Sequence, residues 1–360
     1  MIISRTPFRI SFFGGGSDYP SWYRQHGGAV LAATIDKYCY INVRHLPPFF
    51  EHRFRIVYSK IESCAVVDEI MHPSVRGVLQ NMNVSCGLEI HHDGDLPARS
   101  GMGSSSAFTV GLLNALYALQ GQMIGKRQLA LESIRIEQDL LKETVGSQDQ
   151  VQAAYGGLNY ITFHADDEFS VRPVVLRRER IQEFNSHLML FYTGIKRTAA
   201  DVAQSYVNDI ENKKRALRIT KDLVKEGLAI LSSDQDLIPF GELMHEAWQV
   251  KRSLSDKVSN ADVDALYQQA KEAGAVGGKL TGAGGGGFML LFVPPGHKAA
   301  VSQALHHLIH VPFQFEFSGS QIIFFEPEQD YSTEEQRRAE QTVQPFRELN
   351  ECQMQQGGFG

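Results

Sequence analysis

Residues 96–108 read LPARSGMGSSSAF, and their types suit the binding of an anion. Gly101 and Gly103 let the backbone approach a ligand closely and turn where a side chain would clash, while Ser104, Ser105 and Ser106 stand where a helix begins. The first amides of a helix have no partner inside it, and the helix dipole adds about half a positive charge there, so a phosphate is the natural occupant. Pro97, Ser100, Gly101, Met102, Gly103 and the three serines are therefore candidate nucleotide-binding residues. The segment is neither of the commoner phosphate loops. No lysine follows Gly103, as G-x-x-x-x-G-K-[ST] requires, and GMGSSS lacks the third glycine of G-x-G-x-x-G. By itself, a serine-capped helix after a glycine turn is more often plain capping.

Three further segments change that reading: TPFRISFFGGGSDYP at 6–20, TVGSQDQVQAAYGG at 144–157 and KLTGAGGGGF at 279–288. In this order, with LPARSGMGSSSAF, they resemble the signature motifs of the GHMP kinase superfamily, which includes galactokinase, homoserine kinase, mevalonate kinase and phosphomevalonate kinase. The match spans residues 6–288, and four ordered motifs are far more specific than one. Galactokinases carry an acidic residue and a histidine before the Thr-Asp-Tyr of the first segment. Here GGGSDYP is followed by Trp22 and Tyr23, a pattern similar to the sugar-1-kinases that act on D-glycero-D-manno-heptose 7-phosphate, with relatives acting on L-fucose.

The resemblance implies an ATP-dependent, magnesium-requiring kinase that phosphorylates the anomeric hydroxyl of the heptose 7-phosphate to the 1,7-bisphosphate, on the way to a nucleotide-activated heptose. Asp149 matches the family's catalytic aspartate, the group that receives the acceptor proton, and Arg9 aligns with the basic residue of the first motif. Glu137 lies as far before Asp149 as the family's metal-binding glutamate lies before its aspartate. It is expected to hold Mg2+ together with Ser105 or its neighbour Ser104. Asp18 resembles the family's sugar-hydroxyl ligand, and Ser17, Tyr19 and Trp22 are expected along the same wall. A substrate phosphate needs a cation distant from the ATP, for which Arg99, Lys196 and Arg197 are candidates. The glycine run that includes Thr281, Gly282, Gly284, Gly285 and Gly286 is expected to pack closely against the phosphate loop or the substrate, supporting the site without taking part in catalysis.

Composition adds bounds. The chain has 360 residues, 43% hydrophobic and 21% charged, ordinary for a globular protein of two domains. A net charge of −6 argues against nucleic acid as the main partner. The start MIISRTPFRISFFGGG lacks a long apolar core, so neither export nor a membrane span is expected and the location is read as cytoplasmic. Partners are then ATP and a small phosphorylated sugar, and a homodimer is compatible. Cys39, Cys64, Cys86 and Cys352 have no C-x-x-C spacing, so reduced thiols are expected. His91-His92-Asp93 is set aside as a metal site because neighbours on a strand face opposite ways, and His245-Glu246 lacks a second histidine.

The elements that must position these residues read as α+β. Strand-like runs fall at 8–13, 38–44, 54–58, 158–163 and 187–192, and helical periodicity follows Ser104 and covers 126–142. The second half reads as helices at 199–226, 240–254 and 261–273, a strand at 288–293, a helix at 298–310, and strands near 313–317 and 322–325. That order fits a ferredoxin-like sandwich. By resemblance the first half is ribosomal-S5-like, with the nucleotide between the halves. The expected domains are 1–190 and 191–327, with a polar tail at 328–360 carrying a short helix near 334–342. A reading of another class remains open: some members of the superfamily bind sugar or nucleotide without turnover, as sensors.

Overall fold

Two long strands frame the first half of the chain: β1 (Ile2–Phe13) and β2 (Gly28–His45), paired antiparallel. The computed structural model describes residues 1–50, 52–98, 100–195, 202, 210–327 and 331–340. Residues 28–35 of β2, GAVLAATI, are buried without alternation, as expected of a strand covered on both faces; from residue 38 to 44 burial alternates, as on a sheet covered on one. The helix Ser104–Leu119 packs on β1 and β2. The helix Ile210–Ser232 packs on the same two strands near the start of β2 and the end of β1, with Val224 against Gly14 and Gly227 against the Phe13 ring.

The first sheet continues through β3 (Phe54–Val57), β4 (Ile61–Cys64) and β5 (Leu88–Gly94), with β6 (Leu158–Phe163) and β7 (Phe169–Pro173) joined to the first half of β2. The second sheet is antiparallel, in the order β11 (Ile309–His310), β8 (Leu188–Tyr192), β10 (Phe288–Phe292), β9 (Gly277–Leu280). Its central strand, FMLLF, is buried throughout. Helix Ile238–Arg252 packs on β9 and, through Phe240, ties the sheets together. The Phe240 ring lies 5.6 Å from Phe12, 5.0 Å from Phe13, 4.8 Å from Phe184 and 6.1 Å from Phe292.

The α+β class is as expected, but the division of the chain differs. A boundary at residue 190 would cut β8, whose partners all lie in the second sheet. The strands near the end return to the first sheet: β12 (Phe315–Glu316) pairs with β2, and β13 (Gln321–Phe325) pairs with β1. Unpaired backbone on the free side of β1 needs a partner, and QIIFF supplies it in a register from Ile2↔Phe325 to Arg5↔Gln321. The expected helix over 126–142 also breaks early. It runs over Lys126–Arg135, passes into a π turn at Ile136–Leu140, and ends at Lys142 with φ 55°. The helix expected over 298–310 stops at Ala304, freeing Ile309 and His310 to pair with β8. After β13 the helix Ser332–Ala339 docks on the first half, where Glu335 accepts from Arg53 at 2.6 Å and from the Gly87 amide at 3.1 Å.

Candidate active site

The phosphate-loop segment is held by its own backbone. Ser100 donates through Oγ to the Pro97 carbonyl at 2.7 Å, Gly101 and Gly103 have φ of +83° and +73°, and the helix starts at Ser104. Both glycines lie in the left-handed region that other residues resist. Ser100 and Met102 are buried, so any contact they make with a nucleotide runs through the backbone, and the Met102 carbonyl already accepts from the Arg9 amide at 3.0 Å. Ser105 is exposed, Ser104 is half-buried and Ser106 is buried.

Arg9 and Asp149 meet as a fork. Arg9 Nε donates to Asp149 Oδ1 and Nη2 to Oδ2, each at 2.6 Å, and Nη1 donates to the Gly101 carbonyl at 2.7 Å. Arg9 rises from β1 and is buried; Asp149 lies in the first turn of the helix Gln148–Tyr155 with its side chain 24% exposed. A carboxylate has about four acceptor positions, so the two that Arg9 uses leave others for a substrate hydroxyl. A Cβ on Gly103 would come within 3.1 Å of Arg9 and 3.4 Å of Asp149. The backbone of the phosphate loop thus passes directly over the pair.

The glycine run after β9 closes the same place from the second sheet. A Cβ on Gly282 would fall 2.5 Å from Gly101 Cα, one on Gly101 would fall 2.7 Å from the Thr281 carbonyl, and one on Gly287 would fall 2.2 Å from the Ser100 carbonyl. The two loops touch backbone to backbone, which only glycine allows. Gly284 sits equally close to Val258 and Gly286 to Ile195, and the Gly285 amide donates to the Val258 carbonyl at 2.8 Å. Lys251 and Lys279 reach into this junction. Neither was singled out in the sequence, although Lys279 opens KLTGAGGGGF.

Glu137 is fully buried beside the helix start. It accepts from Ser106 Oγ at 2.8 Å and from Gln150 through one oxygen, while Oε1 has no hydrogen-bond partner. Burial pushes its carboxyl up to about 7. The serine it meets is Ser106 and not the expected Ser105 or Ser104, because Ser105 points to solvent. The π turn places it there, with the Leu141 amide bonded to the Ile136 carbonyl and the Glu143 amide to the Glu137 carbonyl. An orphaned buried carboxylate oxygen beside a hydroxyl is a donor set that fits a hard divalent cation.

The GGGSDYP segment departs from expectation. Ser17 is fully buried, and its Oγ lies within hydrogen-bond reach of the Gly14 and Ala29 carbonyls, with one proton to give, and accepts from the Ala29 amide, so it braces a turn and does not line a pocket. Trp22 is core. Asp18 is 1% exposed; its Oδ1 accepts from the Gly16 amide at 2.8 Å, its Oδ2 from the Gln148 amide at 3.3 Å, and its carbonyl from Ser147. Burial first, then the charge of Asp149, raises its carboxyl above the usual range. A Cβ on Gly146 would fall 1.9 Å from Asp18 Oδ2. Asp18 therefore pins the loop that presents Asp149. Tyr19 is half-buried at the adjacent helix start. Arg99, Lys196 and Arg197, the expected cations for a distant phosphate, lie outside the described residues. His91 turns to Glu89 and His92 sits edge-on to Phe108, and among the described residues no cluster of His, Cys, Asp and Glu is placed to hold a metal. No described helix is long and apolar enough to cross a membrane.

Comparison with known proteins agrees with this architecture. The model of the GHMP kinases N terminal domain matches residues 70–157, and that of the GHMP kinases C terminal domain matches 221–309. The chain is 27% identical over 316 residues to the D-glycero-alpha-D-manno-heptose 7-phosphate kinase of Campylobacter jejuni, covering 84% of this chain and 93% of that protein. It is 27% identical over 330 residues to the bifunctional fucokinase/GDP-fucose pyrophosphorylase of Arabidopsis thaliana, covering 81% of this chain and 30% of that larger protein. Among solved structures, a D-glycero-D-manno-heptose 1-phosphate kinase from Bacteroides thetaiotaomicron superposes with a TM-score of 0.75 at 25% identity, covering 91% of this chain and all of that one. The chain belongs to the GHMP kinases: it is an enzyme, a phosphotransferase with the family's two domains. Its similarity is to the sugar kinases of that family, whose phosphate donor is ATP.

Proposed function

We propose that the chain transfers the γ-phosphoryl group of ATP to the anomeric hydroxyl of D-glycero-α-D-manno-heptose 7-phosphate, giving the 1,7-bisphosphate. The observation that carries the reading is the forked Arg9–Asp149 pair beneath the junction of two glycine loops. In phosphoryl transfer the protein chiefly positions the reactants and stabilises charge, and it gives the acceptor proton a destination. The free acceptor positions of Asp149 take the hydroxyl hydrogen. Arg9 fixes the carboxylate plane and, through its third bond to Gly101, couples that plane to the loop that receives the triphosphate. The amides at the start of the helix Ser104–Leu119 receive the phosphates.

Glu137 and Ser106 are the residues that would hold Mg2+, which when bound offsets charge on the β and γ phosphates. Asp18 and the backbone of Ser147 keep the Asp149 loop in place while substrates come and go. The choice of heptose 7-phosphate rests on the GGGSDYP segment and on the similarity to the Campylobacter kinase. L-fucose as acceptor is the second reading, favoured by the similarity to the Arabidopsis fucokinase. The sensor reading is set aside by the kinase family and by the intact Arg9–Asp149 pair.

Initial rates with ATP and Mg2+ on heptose 7-phosphate, the unphosphorylated heptose, L-fucose, galactose and mevalonate test the proposal. It requires kcat/KM on heptose 7-phosphate to exceed every other acceptor by roughly 100-fold or more, the discrimination available to a site built for polar groups. Preference for an unphosphorylated sugar would move the enzyme to the second reading.

A further inference from the structure

Two lysines stand unexplained at the loop junction. Lys279 leaves β9 with 6% of its surface exposed, and its Nζ donates to the Phe12 carbonyl at 3.0 Å. Lys251, from the helix Ile238–Arg252, donates to the Leu280 carbonyl at 3.2 Å and to the Gly282 carbonyl. An ammonium group has three donors, so Lys279 keeps two and Lys251 one beyond these bonds. Among the described residues neither forms an ion pair; both feel the charges of Arg9 and Asp18, and Lys251 also feels that of Lys279. The carboxylates nearby are committed: Asp149 to Arg9, and Asp18 to two backbone amides.

Lys279 is buried and Lys251 half-buried; bringing two like charges together there without a counter-ion is costly, and bracing three carbonyls does not require it, since a neutral amide donor would serve. The excess positive charge lies where β1 runs into GGGSDYP and where the glycine run meets the phosphate loop. We propose that Lys251 and Lys279, with Arg9, form a binding site for a phosphate-monoester dianion, one phosphoryl group of the bound substrates lying against the two ammonium groups. The inference rests on the kinase reading but not on the identity of the sugar. The same chemistry has two sources, the γ-phosphoryl group of ATP and a phosphate carried by the acceptor.

Proton linkage supports the assignment. Burial, then the neighbouring cations, holds the Lys279 ammonium down at about 7 and that of Lys251 well below its ordinary value, against the partial relief of Asp18. The charged and titratable groups that face the pair are Arg9 on β1 and Asp18 in the segment after it, with Lys279 facing Lys251; Asp149 bears on them through Arg9 and Asp18. A dianion entering between the lysines restores their charge, so binding takes up protons and weakens as pH rises above about 7.

Calorimetric titration of the full chain with inorganic phosphate, in two buffers of different ionisation enthalpy near pH 7.5, reads this directly. Wild type is expected to bind with proton uptake. Lys279→Met and Lys251→Met are each expected to bind at least about tenfold more weakly and with less uptake, as loss of a charge-assisted contact implies. Their thermal midpoints are expected to match or exceed wild type, because a buried charge at Lys279, or a half-buried one at Lys251, is exchanged for an apolar chain of similar length. Kinetics separate the sources: a raised KM for heptose 7-phosphate with ATP unchanged assigns the acceptor's phosphate, and a lower kcat or raised KM for ATP assigns the γ-phosphoryl group. If the acceptor proves to be an unphosphorylated sugar, the titration and the ATP parameters still decide. Unchanged phosphate binding and proton uptake in both variants would overturn the proposal, as would lower stability with binding intact, which would make the lysines loop braces alone.

Discussion

Asp149 can be tested apart from its neighbours. Asp149→Asn keeps the size of the side chain and one acceptor for Arg9 but cannot take a proton, so kcat should fall by about 100-fold or more with ATP affinity nearly unchanged. Single-turnover rates and nucleotide titration check both halves, and equal turnover would remove Asp149 from its role. Glu137 makes a different prediction. Its orphaned Oε1 is buried next to Ser106, so Mg2+ should raise the thermal midpoint of wild type and leave Glu137→Gln unmoved. Lys279 predicts a pH dependence. Between its folded value of about 7 and its ordinary 10.5, the unfolded chain holds a proton that the ligand-free fold does not, so stability rises with pH across that window. Lys279→Met should therefore be more stable than wild type near pH 7, and the gap should narrow as pH climbs towards 10, as read by urea unfolding of ligand-free protein at several pH values. The motif residues Arg9 and Asp149 were legible in the sequence because their segments keep a recognisable order and spacing. A serine beside an aspartate looks like a sugar contact, and what the sequence does not show is the turn between β1 and β2 that packs the Ser17 backbone on Gly28 and gives its hydroxyl to Gly14 and Ala29.

At the scale of elements, the contact between the glycine loops is the feature with least room to move. Gly282→Ala would put a methyl 2.5 Å from Gly101 Cα at a φ of +65°, so either the loops separate or the backbone strains. The expected cost is about 1–3 kcal/mol of stability with a larger relative loss in kcat/KM, measured by denaturant unfolding alongside kinetics. The glycine run itself was legible as a close-packed loop, since six nearly bare residues leading into FMLLFV make a poor flexible linker. The partner it packs on required the fold. The π turn at Ile136–Leu140 could not be read, because Leu129, Ile134, Ile136 and Leu140 recur at a mixed spacing that an ordinary helix also tolerates. That turn decides which serine meets Glu137.

Across the whole molecule, the two sheets share one aromatic core and the site lies over it. Phe240 touches Phe12 and Phe13 of the first sheet's longest path and Phe292 of the second, so Phe240→Ala should cost about 3–5 kcal/mol and lower activity by loosening the seat of Lys251 on the same helix. The strands near 313–325 were legible as strands but not as members of the first sheet, since strand propensity says nothing about which edge a late segment will find. The similarity in fold and motifs defines a GHMP kinase, and the acceptor is the central claim to test. Phosphorus NMR of the product from ATP, Mg2+ and heptose 7-phosphate does so most directly. The account predicts a second phosphate resonance, coupled to the anomeric proton, appearing in step with ADP. Formation of ADP with no new sugar phosphate, or a phosphate on any other carbon, would contradict it.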